Sequence, residues 1–364
     1  MFLLGGSGYF GRLLLDELLR ETTARIVVAG RDLERAQRTC DELGRERLTP
    51  LALDLASASA VNAALDGVAL AICAAGPFQT LPTTLAKSCI ARGVAYIDLA
   101  DDRRFVGRVR ELAASARGEL PTIATGWSAA PALSAVLVSI ASGGFETLDT
   151  IRVQLAPGNR NPRRRATVFS LLASVGRPIA IQRDGVWRTA SGWSEPRSFG
   201  FPSPIGRRTG YLVDAPDLEL FPELFGARTV EFRAGAELGV LNAAVSALAR
   251  LARGGAVRDW TRHEPLLRAG MALFSRLGTS AGALGVEVGG TRAGKQCRAR
   301  ACVAGSERGE RIAVLPAAVI ARRVLDARAS GGVLAWHRWL DREGLEREAA
   351  RRGFRLVVEA EARA

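Results

Sequence analysis

Apolar positions follow one another along this chain in two rhythms, and the change between them falls near Gly126. Before it, short apolar runs rich in β-branched residues alternate with segments whose apolar residues return every three or four positions. The opening "MFLLGG" reads as a buried strand, and in "GRLLLDELLRE" Leu14, Leu15, Leu18 and Leu19 form one helical stripe. "ARIVVAGRD" is a second strand, "LERAQRTCDELGR" a helix stopped at Gly44, and "LTPLALDL" a third strand. After the short helix "SASAVNAALDG" comes "VALAICAAGP", continuously apolar as strands buried on both faces are. The alternation goes on through the helix "TLPTTLAKSCIARG", the strand "VAYIDLA", the helix "DRRFVGRVRELAASARGE" and the strand "LPTIATGW". Strands separated by helices in this way predict a parallel, doubly wound sheet with right-handed crossovers.

Beyond Gly126 the pattern loosens. "PALSAVLVSIAS" reads as a helix with Pro131 in its first turn, "IRVQLAP" as a strand, and "RRRATVFSLLASVG" as a loop entering a helix. "IAIQRDGVWRT" predicts a hairpin turning at Asp184-Gly185. Residues 191 to 216, rich in Gly, Pro and Ser, read as a long surface loop. Helical patterns follow near 237–253 and 257–277. In the second, Trp260, Leu267, Met271 and Phe274 share a face that reads as core or as the seam of a homodimer. "GVEVGGT", "KQCRARACVA" and "ERIAVLPA" read as antiparallel strands, and the chain from about Pro316 as helical. The domains expected are 1–128 with the parallel sheet, 129–315 as an α+β domain with a mostly antiparallel sheet, and 316–364 as a helical segment returning to the first.

The formal net charge of +13 raises the question of a nucleic-acid partner. The fifty basic residues include only two lysines, Lys87 and Lys295, and the arginines are scattered, with Arg163-Arg164-Arg165 the tightest run. No basic stretch is interleaved with aromatic residues for base stacking, so the charge reads as solvated faces and no nucleic acid is expected. Residues 120–145 carry no charge, but Pro121, Gly126 and Pro131 interrupt them, so no membrane span is expected. Five cysteines without a C-x-x-C suit a reducing cytoplasm.

Between the first strand and first helix stands Gly6-Ser7-Gly8-Tyr9-Phe10-Gly11, a G-x-G-x-x-G preceded by Gly5. In that setting the glycines permit a tight turn, close approach of a pyrophosphate and close helix–strand packing, while the helix N-terminus offers N–H groups to the phosphates. This is the Rossmann arrangement. An NAD-selective fold places Asp or Glu about 20 residues past the loop; here Arg31 stands there, followed by Asp32. Arg31 suits a 2′-phosphate, so NADP is preferred, while Asp32 keeps NAD open unless it caps the next helix. Asp54 either contacts the adenine or caps a helix. The cofactor-binding set is Gly5, Gly6, Ser7, Gly8, Tyr9, Phe10, Gly11, Arg31, Asp54 and the loop Ala75, Gly76, Pro77, Phe78 at the end of the fourth strand.

Four stretches together resemble the saccharopine dehydrogenase-like (saccharopine reductase) family of NAD(P)-binding oxidoreductases. "GGSGYFGR" is similar to the family's Gly-x-x-Gly-Tyr-x-Gly-Arg loop through Gly5, Gly8, Tyr9, Gly11 and Arg12, and "AGRD" to its second-strand end. "AAGPFQTLPTTLAKSCIARGVAYIDLADD" is similar to its Gly-Pro-Phe loop, helix and Tyr-x-Asp strand, and "GWSAAPALSAVL" to its entry into the second domain. Pro82, Asp101-Asp102 and Ser128 depart from the family pattern, which bears on the substrate more than on the cofactor. The resemblance implies hydride transfer to an imine or activated double bond, or the reverse, with the second domain selecting a small-molecule substrate.

The candidate catalytic residues are Tyr96, Asp98 and Asp102, at the end of the fifth strand where such sheets bind ligands. Asp98 or Asp102 could serve as acid/base, or Asp98 could simply hold backbone in a turn; Asp101 reads as a helix cap. No Tyr-x-x-x-Lys exists, and the two histidines, His263 and His337, support neither a zinc site nor a triad, so no metal is expected. An enzyme is the preferred reading; the alternative is a dinucleotide-binding sensor or assembly protein without turnover.

Overall fold

The computed structural model describes residues 1–162, 165–257 and 259–362, so Arg163 and Arg164 of the arginine run lie outside it. The chain opens with β1 (Phe2–Leu4), α1 (Tyr9–Glu21), β2 (Ile26–Gly30), α2 (Leu33–Leu43), β3 (Leu48–Ala52) and α3 (Ala58–Ala64). It continues with β4 (Leu70–Cys73), α4 (Thr84–Arg92), β5 (Ala95–Asp98), α5 (Arg103–Ser115) and β6 (Thr122–Ala124). Then come α6 (Ser134–Ala141), β7 (Thr147–Pro157), α7 (Arg165–Ser174), β8 (Pro178–Arg183), β9 (Val186–Ser191), β10 (Arg197–Gly200) and β11 (Arg207–Leu212). α8 (Asp217–Phe225), β12 (Thr229–Ala234), α9 (Gly239–Arg253), α10 (Glu264–Ala272), β13 (Gly282–Arg292) and β14 (Lys295–Gly305) follow. The last elements are α11 (Leu315–Leu325), β15 (Gly332–Val333), α12 (Arg342–Ala350) and β16 (Arg355–Ala362).

Two compact units result: Met1–Ala129 with Ala313–Trp339, and Ala130–Ile312 with Leu340–Ala364. The first unit is built on a sheet of order β15-β6-β5-β4-β1-β2-β3 with every pairing parallel. The 3-2-1-4-5-6 order within it is that of the dinucleotide-binding Rossmann fold, with its switch point between β1 and β4. Phe2, Leu3 and Ile72 on these strands are fully buried. The stripe Leu14, Leu15 and Leu18 of α1 is also buried, and α11 packs on α1, β4 and β5. An ion pair from Arg322 to Glu21, 2.9 Å, joins α11 to the end of α1.

The second unit holds a seven-stranded sheet, β10-β11-β12-β7-β13-β14-β16, antiparallel except where β12 pairs with β7. One face is apolar: Ile151, Val153, Val230, Val286, Val288 and Val303 are buried, and α6 and α8 pack onto the strands. The other face carries a row of alternating charge, because register aligns Glu231 with Arg152, Arg152 with Glu287, and Glu287 with Arg300. Glu287 accepts from Arg152 (3.2 Å), Arg197 (3.1 Å) and Arg300 (2.7 Å). Burial raises the Glu287 carboxyl, but the Arg300 hydrogen bond and the charges of Arg300, Arg197 and Arg152 outweigh it and hold it below the ordinary carboxylate range.

Several expectations are corrected here. Residues 191–216 contain β10 and β11 rather than a continuous loop. "ERIAVLPA" is a helical turn running into α11, with Pro316 in its first turn, because an apolar β-branched run also suits a buried helix. The stretch from Pro316 is not wholly helical: it adds β15 to the first sheet and β16 to the edge of the second. The stripe Trp260, Leu267, Met271, Phe274 faces inward, with Trp260 buried, its Nε1–H donating to the Leu248 carbonyl at 2.9 Å.

Candidate functional site

The glycine loop joins β1 to α1 at the switch point. Gly5 rather than Gly6 makes the turn: its φ is +77°, and a Cβ there would meet the Ala75 nitrogen at 2.6 Å. A Cβ on Gly11 would overlap the Gly5 carbonyl oxygen, so this position lets the helix seat against the turn. Gly8 is the N-cap of α1 and supplies no side-chain cap, and the first turn carries no acidic residue. In the same unit α2, α3 and α5 are capped by the side chains of Asp32, Ser57 and Asp102, whereas α4, like α1, has no side-chain cap. The N-terminus of α1 therefore presents backbone N–H groups and the positive dipole end without an internal anion to satisfy them, which is what a bound phosphate needs.

Around this loop the expected residues fall in different places. Gly6 and Ser7 are buried, and Tyr9 and Phe10 are half-buried, ring edge to ring face at 5.3 Å. Gly30, at the end of β2, lies against the Ser7 hydroxyl, so the exposed Arg31 follows directly beside the glycine loop. Asp32 caps α2 by accepting from Arg35 N (2.9 Å). Asp54 accepts from Ala56 N at 3.0 Å in a turn, and Ser57, not Asp54, caps α3. Ala75 and Gly76 cross the switch point opposite Gly5, and Pro77 leads on to Phe78. The Phe78 ring is buried on Phe105 at 5.0 Å, so this loop offers its backbone and Pro77 rather than that ring. Arg12 binds Glu42 and Thr39, tying α1 to α2.

Asp98 is fully buried. Its Oδ1 accepts from Gly126 N (2.7 Å) and Ala100 N (3.0 Å), while Trp127 N donates to its carbonyl (2.7 Å). It thereby fixes the turn leaving β6. Its Oδ2 has no hydrogen-bond partner. Burial pushes the Asp98 carboxyl up to about 6 against the pull of the Gly126 and Ala100 N–H bonds. Tyr96 is buried beside it, and burial, then the Asp98 charge, raises its phenol well above the ordinary value. The same two causes raise the Cys73 thiol to about 12. Asp102, half-buried, accepts from Phe105 N (2.8 Å); it, and not Asp101, caps α5. Two contributors escaped the sequence reading. Trp336 donates from Nε1 to the Thr125 carbonyl at 2.7 Å, and Trp339 lies 6.2 Å from the Trp127 ring. No local pattern links residues so far apart in the chain. Among the described residues no group of three His, Cys, Asp or Glu could hold a metal, and no helix is long and apolar enough to cross a membrane.

Asp98 titrates higher folded than unfolded, as does Asp217 of the second unit, which burial pushes up to about 7 against the Ser134 hydrogen bond. Each contributes stability below the unfolded value near 4 that is lost as pH rises through the folded value. Asp98→Asn keeps an oxygen for both N–H donors. We expect it to remove a pH-dependent loss of up to about 3 kcal/mol between pH 4 and 8, read by urea unfolding at several pH values. A variant whose stability falls with pH as steeply as the parent's would contradict this account of Asp98.

Strand order, switch point and open helix N-terminus define the architecture of an NAD(P)-dependent oxidoreductase. Residues 1–123 match the family model described as the saccharopine dehydrogenase NADP binding domain. Over its whole length the chain has the fold of apo saccharopine dehydrogenase (L-Glu forming) from Saccharomyces cerevisiae. The TM-score is 0.68 with 16% identity, covering 99% of each chain. It is also similar to GenD2 from gentamicin A biosynthesis, in complex with NAD (TM-score 0.41, 16% identity, 98% of this chain and 95% of that one). A further similarity is to biliverdin reductase from Synechocystis sp. PCC 6803, in complex with biliverdin and NADP+ (TM-score 0.40, 12% identity, 96% and 95%). No curated protein matches the chain by sequence.

Proposed function

We propose that the protein is an NADP-dependent oxidoreductase that moves a hydride between nicotinamide and a small molecule bearing an imine or an activated double bond. The observation that carries this is the α1 N-terminus, which stands without a side-chain cap behind the glycine cradle at the switch point. The glycine cradle fits a dinucleotide: Gly8 leaves the first turn bare for the pyrophosphate, and Gly5 and Gly11 hold it in place. Arg31 would pair with the 2′-phosphate, and Ala75 to Pro77 would border the nicotinamide. The bound cofactor supplies the hydride; the chain binds, orients and excludes water. Asp98, enclosed in protein with Tyr96 buried beside it, would act by holding the loop after β6, and Asp102 by setting α5. We place the enzyme in the cytoplasm, where its five free cysteines would stay reduced.

The test is calorimetric titration with NADPH and, separately, NADH. NADPH is expected to bind more tightly, with Arg31→Ala lowering NADPH affinity by about tenfold or more while leaving NADH nearly unchanged. Equal loss for both cofactors would remove Arg31 from phosphate recognition, and binding of neither would overturn the reading. The enclosure of Asp98 and Tyr96 favours one alternative, a dinucleotide-binding sensor or assembly protein without turnover. NADPH oxidation in the presence of any imine or enone rules that alternative out.

A further inference from the structure

The helix α10 packs against α7, with Leu267, Met271 and Phe274 half-buried. Leucines off that inward stripe stand clear of the protein: Leu266 is 73%, Leu273 83% and Leu277 54% exposed. Leu266 lies in α10, Leu273 caps its C-terminus in helical conformation seven residues on and so on the same face, and Leu277 follows in the turn beyond. Large apolar side chains so exposed, aligned along one segment, mark an interaction surface rather than ordinary scatter. The charge around them is one-sided. Arg262 before the helix and Arg276 after it are exposed. The carboxylates of the segment are used internally: Glu264 is buried and accepts from Arg268 at 2.8 Å, and Asp259 accepts from Thr261 N at 3.0 Å.

We propose that α10 docks the protein on an anionic bilayer surface. The leucines would enter the acyl boundary while Arg262 and Arg276 pair with lipid phosphates, the guanidinium fork being suited to phosphate. A second copy fits poorly, because like faces of a chain of net charge +13 would bring arginines against arginines. Protruding leucines also suit a deformable surface better than a preformed pocket. The docking is peripheral and does not depend on the cofactor site.

The experiment is flotation of the full chain with phosphatidylcholine vesicles, alone or with roughly a third phosphatidylserine. The protein is expected to float with the mixed vesicles and not with phosphatidylcholine alone. The double variant Leu266→Ser/Leu273→Ser should lower the bound fraction by about tenfold with an unchanged circular dichroism spectrum. No flotation with either vesicle overturns the proposal, as does equal flotation of the double variant, which would mean that scattered arginines suffice. A dimer in lipid-free sedimentation that this variant makes monomeric also overturns it, assigning the face to a second copy.

Discussion

Gly11→Ala is expected to lower dinucleotide affinity by at least about 100-fold and to cost roughly 2–4 kcal/mol of stability. The added methyl would overlap the Gly5 carbonyl oxygen, which is backbone and cannot swing aside. Either the turn moves and loses its seat against Ala75, or α1 lifts from β1 and its N–H groups leave the phosphate position. Calorimetry with NADPH and urea unfolding read the two losses separately. Gly107→Ala is the internal control. It lies in α5 with open space where its Cβ would go, so it should be neutral or add up to about 1 kcal/mol through helix propensity. If Gly11→Ala binds NADPH normally, the loop does not hold the phosphates.

The second large effect is expected at Glu287→Ala. Glu287 is 5% exposed and bonded to Arg152, Arg197 and Arg300, so truncation leaves clustered guanidiniums around an empty position. Arg152 keeps only its longer contact to Glu231, 3.5 Å. Breaking a buried ion cluster from one side costs about 3–5 kcal/mol; partial exposure of Arg197 and Arg300 places this one near the lower end. Because the Glu287 and Glu231 carboxyls are held below their ordinary values, their contribution is present above the unfolded value. It is lost as pH falls through the depressed ones. Thermal unfolding should show the difference between parent and variant shrinking toward acid pH. A constant difference would mean that packing, not charge, is lost.

The first unit was largely legible because buried parallel strands and amphipathic helices write opposite periodicities into the sequence. Glycine spacing at a strand–helix junction then located the crevice. Which glycine makes the turn was not readable, since Gly5 and Gly6 are adjacent and only the backbone angle separates them. The cap of α5 was placed one residue early, because Asp101 and Asp102 are neighbours and each can serve a helix start; Asp54 and Ser57, within one turn, left the cap of α3 open for the same reason. β15 was invisible because two residues in a Gly-rich stretch carry no period. β10 and β11 were hidden by the Gly, Pro and Ser around them and by arginines at positions a core strand would leave apolar. Asp98 could be placed at the end of β5 from sequence, but not its enclosure, which depends on Gly126 and Ala100 closing over it.

The interleaving of the two units sets the order in which they can be finished during synthesis. When the ribosome has delivered residue 129, six of the seven strands of the first sheet exist, but the helix that covers α1, β4 and β5 has not been translated. The nascent first unit must wait, with that surface uncovered, while residues 130–312 emerge and begin their own sheet. That second sheet in turn lacks its edge strand β16 until residues 355–362 leave the exit tunnel. Neither half can therefore mature ahead of the other, and the last fifty or so residues to be made complete both.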